Sequence, residues 1–286
     1  MARKNIFQLV NERYDIQYEI EKIAYLFENA NYFYQVNQLE SNDATLKDII
    51  ASYLFPGWAL KGTCLSPKEF FSRANAIIPT DEPATEEEIL NYLEVMENFI
   101  KLFQDNRNMI CLNYGFEVND EAFTSVFCYL IKTLEKRMGL TVRQCKDRMI
   151  LYPLNAALEK VVDLYDDEDV QWELIRYERE NLTLAEKKKS LAYLATNLDI
   201  EKHKQETNTQ ILHHLDIACN ILNNLHIRHN NRTGGQKNEP PEMFDENEEI
   251  SLCDLAYNEM LIITLLRNSK SNYETYKMFH KRQKKA

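Results

Sequence analysis

Hydrophobic residues recur at spacings of three and four along almost the whole 286-residue chain. That is the period of a helix rather than of a strand, and it predicts an all-α protein. Thr85-Glu86-Glu87-Glu88, just after Pro83, has the spacing of a capping box, in which the threonine hydroxyl accepts an orphan backbone N–H and the third glutamate reaches back. Ile89, Leu90, Leu93, Met96, Ile100 and Phe103 then form the apolar stripe of the helix it opens. Thr141-x-x-Gln144 and Thr183-x-x-Glu186 repeat the device and predict two further helix starts. Gly139 stands where a helix from about Asn119 to Met138 needs a left-handed residue to end it.

The N-terminal part predicts a helix from about Asn5 to Leu26, followed by the aromatic run Tyr32-Phe33-Tyr34, dense enough to suggest a partner surface or an inter-domain contact. Four of the seven prolines fall between Pro56 and Pro83, which predicts an inserted loop or a short non-helical lid. The acidic run Asp163 to Asp169 marks a hinge or a helix start, since carboxylates in a first turn favour the macrodipole. Beyond it come three stripes. Leu184, Leu191, Leu194 and Leu198 form the first, Leu212, Leu215, Cys219, Leu222 and either Leu225 or His226 the second, and Leu252, Leu255, Tyr257, Met260, Ile263, Leu265 and Leu266 the third. Long helices with polar connectors predict an antiparallel bundle. The expected organisation is an acidic, irregular N-terminal helical domain over residues 1–166 and a C-terminal bundle over 167–286, with one turn-rich loop from Asn230 to Glu249.

Composition narrows the function classes. Six glycines argue against an all-β fold, which needs tight turns every ten residues or so, and neither GxGxxG nor GxxxxGK[ST] occurs. Rossmann and P-loop chemistry therefore drop out. The longest apolar run, Val126 to Ile131, falls far short of a bilayer span, and no leader-like segment follows Met1, so the expectation is a cytoplasmic protein with no membrane contact. Six cysteines without a CxxC pair read as reduced core residues.

The net charge of −11 is unevenly spread. Residues 1–180 carry 19 Lys/Arg against 31 Asp/Glu, whereas residues 181–286 carry 15 against 14. An acidic half repels a phosphate backbone, so any RNA contact belongs to the C-terminal part. Its basic groups cluster at Lys187-Lys188-Lys189 and in the tail from Lys277 to Lys285. All six histidines, at 203, 213, 214, 226, 229 and 280, also lie there.

The segment Asn223 to Gly235 gathers the candidate chemistry. Asn224, Arg228 and Asn231 are three or four residues apart, which puts two amides and a guanidinium on one helical face, with Arg232 in the same segment. A guanidinium flanked by amides suits a phosphate, and His226 or His229 beside it can move a proton near neutral pH. A purely structural role for the same residues is a helix C-cap: Asn230 or Asn231 left-handed, Arg228 bridged to a carboxylate, His226 packed. His226-x-x-His229 lacks the HExxH spacing, and His213, His214 and Asp216 lie three to four turns earlier, so neither a metal nor a cofactor is expected. No GxSxG elbow occurs, and Cys219, the cysteine nearest a histidine, falls on an apolar stripe.

A long amphipathic helix ending in Asn224-x-x-x-Arg228-His229-Asn230-Asn231, then a polar loop, then a helix with Asp254, Tyr257 and Met260, resembles the terminal helical domain of bacterial abortive-infection and toxin-type proteins, many of them in the HEPN group. The resemblance covers about residues 180–270. It implies metal-independent RNA cleavage, defence against phage, and a homodimer in which two protomers complete the site. It assigns phosphate binding to Arg228 and acid/base work to a histidine. HEPN ribonucleases place that histidine four to six residues after the arginine, whereas positions 232 to 234 here are Arg, Thr and Gly. Either His226 or His229 substitutes, or the domain is a HEPN-like fold without nuclease activity. The competing expectation is a non-catalytic helical interaction module whose acidic half docks a basic partner.

Overall fold

The structure, a computed structural model, describes residues 15–35, 43–79, 82–200, 206–227 and 244–283, with side chains as far as residue 273. The chain divides into two compact units, Met1–Tyr152 and Pro153–Ala286. The protein is mostly helical, but the all-α expectation needs correcting, because five short strands form two small sheets among the described residues.

The first unit opens with α1 (Ile16–Asn29), whose N-cap Asp15 accepts the Tyr18 N–H and whose Ile20, Ile23 and Phe27 bury one face. Strand β1 (Asn31–Gln35) pairs antiparallel with both β2 (Asp43–Thr45) and β3 (Phe116–Val118). Tyr32 and Phe33, expected on a partner surface, are instead buried, with only Tyr34 exposed. Aromatic residues suit a half-buried pleated surface, and here they pack on Phe103, Phe123 and Phe127.

After β2, α2 (Leu46–Ile49) runs on as a π-helical stretch, Ile50–Leu54. The proline-rich region that follows is no lid. It folds into short 3-10 turns and α3 (Pro67–Arg73), and its Trp58, Phe70 and Phe71 meet Phe99 at ring-centroid distances of 5.4, 6.1 and 5.6 Å.

Phe99 lies on α4 (Glu86–Tyr114), a 29-residue helix about 43 Å long at 1.5 Å per residue. Thr85 and Glu88 close the expected capping box at its start, and Gly115 ends it at φ +70°. A π-helical segment, Glu121–Cys128, leads into α5 (Tyr129–Arg137), and Gly139 follows at φ +66° as its sequence position predicts. The box expected at Thr141-x-x-Gln144 does not form. Those residues lie in β4 (Leu140–Cys145), paired with β5 (Arg148–Pro153), and the Gln144 amide donates to the Lys146 carbonyl within the turn.

Side chains of α4 dock this hairpin. Asn98 donates to the Met149 carbonyl at 2.7 Å and accepts the Met149 N–H at 2.9 Å, and Glu94 accepts the Leu151 N–H at 2.9 Å. Removing Asn98 leaves two backbone groups without partners, so Asn98→Ala is expected to cost roughly 2–4 kcal/mol in urea denaturation.

The second unit runs through α6 (Ala156–Val162), α7 (Glu168–Arg179), α8 (Leu184–Asn197), α9 (Thr209–Asn224) and α10 (Glu246–Gln283). Asp167, from the acidic run, is the N-cap of α7, and Thr183 with Glu186 closes the expected box of α8. Leu191, Leu194, Leu198, Leu215, Cys219, Leu222, Tyr257, Met260 and Ile263 are buried as the stripes predict, whereas Leu255 is exposed. Of the basic run, Lys187 is paired with Asp254, which also accepts from the Tyr177 hydroxyl, and Lys188 pairs with Glu249 at 2.7 Å. Tyr177 stacks on Tyr257 at 4.3 Å, and the Tyr257 hydroxyl donates to the Leu174 carbonyl. Arg267 on α10 donates to the carbonyls of Leu198 and Asp199, satisfying the open end of α8.

Candidate functional site

Helix α9 carries the described part of the site predicted from sequence. Its last turn closes in a Schellman motif: the His226 N–H bonds the Asn223 carbonyl at 3.2 Å, and the Ile227 N–H bonds the Leu222 carbonyl at 2.9 Å. His226 itself is the left-handed residue, at φ +56°. The cap predicted at Asn230 or Asn231 is thus already made four residues earlier, and His226 is exposed rather than packed. Leu225 buries in its stead.

Two consequences follow for chemistry. The backbone alone satisfies the helix end, so the Asn224 amide and His226 imidazole are left to solvent, with no side-chain partner among the described residues. The helical face that would align Asn224, Arg228 and Asn231 stops short, because the chain leaves α9 after Asn224. Arg228, His229, Asn231 and Arg232 lie outside the described residues, as does most of the loop predicted from Asn230 to Glu249. Of the α10 residues that carry the resemblance, Tyr257 and Met260 are core and Asp254 is held by Lys187 and Tyr177.

Sequence reasoning passed over a second constellation on the same helix. His214 Nδ1 lies 2.5 Å from Glu259 Oε2, joining α9 to α10 across 45 residues of sequence. Glu259 is only 7% exposed, and the His214 side chain 26%. A buried carboxylate this close accepts the Nδ1 proton and so fixes the imidazole, leaving Nε2 as the ring nitrogen outside that bond. The His213 ring lies 5.6 Å from that of His214, edge to face. His214 sits twelve residues before His226, about 18 Å along the helix at 1.5 Å per residue, so the two histidines serve separate places. The signal that could have found the pair was Glu259 itself, an acid within the third apolar stripe, beside Met260.

Among the described residues no group of three or more His, Cys, Asp or Glu side chains is arranged to hold a metal. No disulfide links the six cysteines, four of which are buried. No helix among the described residues is long and apolar enough to cross a membrane. Comparison with protein families, with curated proteins and with solved structures finds no match to the chain.

Proposed function

We propose that the C-terminal part is an antiparallel helical bundle of HEPN-like kind that cleaves RNA without a metal, working in the cytoplasm as a homodimer in bacterial defence or as a toxin. Arg228 binds the scissile phosphate, Asn224 orients it together with Asn231 and Arg232, and His226 or His229 moves the proton of the attacking 2′-hydroxyl. The observation that carries this reading is the end of α9. Asn224 and His226 are exposed there while backbone bonds complete the cap, and among the described residues neither side chain has a partner. The nearly neutral charge of residues 181–286 lets a polyanion approach this part of the chain.

The test is incubation of purified protein with total RNA in the presence of a chelator. Wild-type protein is expected to cleave. Arg228→Ala should abolish cleavage while shifting the melting temperature by no more than about 2 °C, less than a 1 kcal/mol loss would produce. His226→Gly suits the left-handed backbone better than histidine does, so it removes the imidazole without opening the helix end. If His226 is the acid/base, that variant loses roughly 10²–10⁴-fold in rate; if His229 is, His229→Ala loses it instead. Destabilisation by Arg228→Ala with no cleavage by any variant or by wild-type protein would leave the non-catalytic interaction module as the function.

A further inference from the structure

The groove between α9 and α10 at His214 is built differently from the end of α9. It encloses about 390 Å³, at the small end of ligand-sized pockets, and is lined by Thr209, Gln210, His213 and His214 from one helix and by Ile262 and Leu266 from the other. Thr209 and Gln210 lie four and three residues before His213 and form one polar wall with it. Glu259, Ile262 and Leu266 follow the same rule on α10, with the acid buried against His214 and the two aliphatic chains facing the space. We infer that this groove is a binding subsite for a single unpaired nucleobase.

Each element of the lining selects for that chemistry. The Glu259 carboxylate accepts the Nδ1 proton of His214, which leaves Nε2 as the ring nitrogen available to the polar edge of a ligand. The exposed Gln210 amide, one turn away, both donates and accepts, the pairing that reads a base edge. Ile262 and Leu266 offer an apolar wall to a flat ring, and the His213 imidazole offers a stacking face. Among the described residues no lysine or arginine lines the groove, so none of its described lining supplies a cation for a phosphate. Along α10 the nearest cation, Arg267, donates to the carbonyls of Leu198 and Asp199, and Lys270, one turn beyond Leu266, is paired with Glu206 at 3.0 Å. An aromatic heterocycle with a polar edge matches this described lining of polar and apolar walls.

The base can belong to a free nucleoside or to a single RNA strand. The inference rests on the proposed RNA activity only for the second source.

The experiment uses full-length protein labelled with ¹³C at histidine Cε1, titrated separately with adenosine, uridine, inorganic phosphate and a 2′-O-methyl hexaribonucleotide that cannot be cleaved. A nucleoside is expected to move the His213 and His214 signals saturably, with a Kd of about 1 mM, since one stacked base contributes only a few kcal/mol. If the source is a strand, the hexamer binds at least about tenfold tighter than the nucleoside. If the source is a free nucleoside, the hexamer gains nothing. Gln210→Ala should weaken binding about tenfold; the residue is exposed, and the helix start is held by Asn208 rather than by its side chain. Signals that stay still through about 10 mM nucleoside and through saturating hexamer overturn the subsite, as does an equal movement caused by phosphate alone. Running the same titration on Arg228→Ala separates the two proposals. RNA cleavage without movement at His214 defeats the subsite and spares the nuclease, while movement in a protein that cleaves no RNA does the reverse.

Discussion

Replacing Phe99 by alanine is expected to destabilise the first unit by roughly 3–5 kcal/mol, read in urea denaturation. Phe99 is fully buried at the middle of α4, and its ring meets those of Phe27, Phe55, Trp58, Phe70 and Phe71 within 6.5 Å. Truncating such a ring removes its transfer free energy and leaves a cavity, a combined cost of roughly 3–5 kcal/mol. Domains of this size hold about 5–15 kcal/mol in all, so the loss takes a large share. The proline-rich stretch depends on the ring most directly, because Trp58, Phe70 and Phe71 make up its attachment to the core. Hydrogen exchange should show protection lost first over residues 55–76. Phe99→Leu, which keeps most of the volume, should cost only about 1–2 kcal/mol. Equal destabilisation by the two variants would mean that ring packing is not what anchors the segment.

The second large effect concerns a charge arrangement inside the same unit. The side chains of Glu97 on α4 and Glu135 on α5 are 7% and 5% exposed, and both reach one ammonium, Lys132 Nζ, at 2.8 and 3.2 Å. One cation cannot neutralise two buried carboxylates. Burial, reinforced by the Glu97 charge and only partly opposed by Lys132, pushes the Glu135 carboxyl up to about 7. Burial also lowers Lys132, but the two carboxylates outweigh it and hold the ammonium above its ordinary value. The nearby Cys128 thiol is raised to about 11, first by burial and then by Glu97.

Linkage fixes the sign. The folded protein holds the Glu135 proton more tightly than the unfolded chain, whose ordinary carboxyl value is near 4.5. The stabilisation is therefore complete below about pH 4.5 and is lost as pH rises to about 7, by a few kcal/mol in total. Glu135→Gln removes the titration. The variant should match wild-type protein near pH 5 and exceed it by roughly 1–3 kcal/mol at pH 8 in urea denaturation. Parallel pH profiles for the two proteins would show that the fold does not raise the Glu135 carboxyl.

How far the site was legible follows from where its partners lie. Asn224 and His226 were found because their spacing to Arg228 is local, yet their setting was misjudged. A helix end is chosen by which residue can turn left-handed while its neighbour buries, and here Leu225 buries and His226 turns. The His214–Glu259 couple was missed because the partners are 45 residues apart and meet only when α9 lies against α10.

Other elements divide along the same line. The Thr85–Glu88 and Thr183–Glu186 boxes, the left-handed Gly139 and the Asp167 cap could be read directly, because each is a bond or a backbone angle set within three or four residues. The apolar stripes of α4, α8 and α9 could be read for the same reason, since a repeat of 3.6 residues is a local property. What tertiary structure decided is every feature that needs a distant partner. Thr141 and Gln144 carry a helix-start spacing, but the backbone of β5 offers Thr141-Val142 a strand partner, and α4 supplies Asn98 and Glu94 to hold the hairpin down. Tyr32 and Phe33 become core only when β2 and β3 flank them. Glu135 holds its proton to about pH 7 only because two helices bring both buried acids to the single ammonium of Lys132. Short-range bonding is written in adjacent residues, whereas burial depends on what the rest of the chain places opposite.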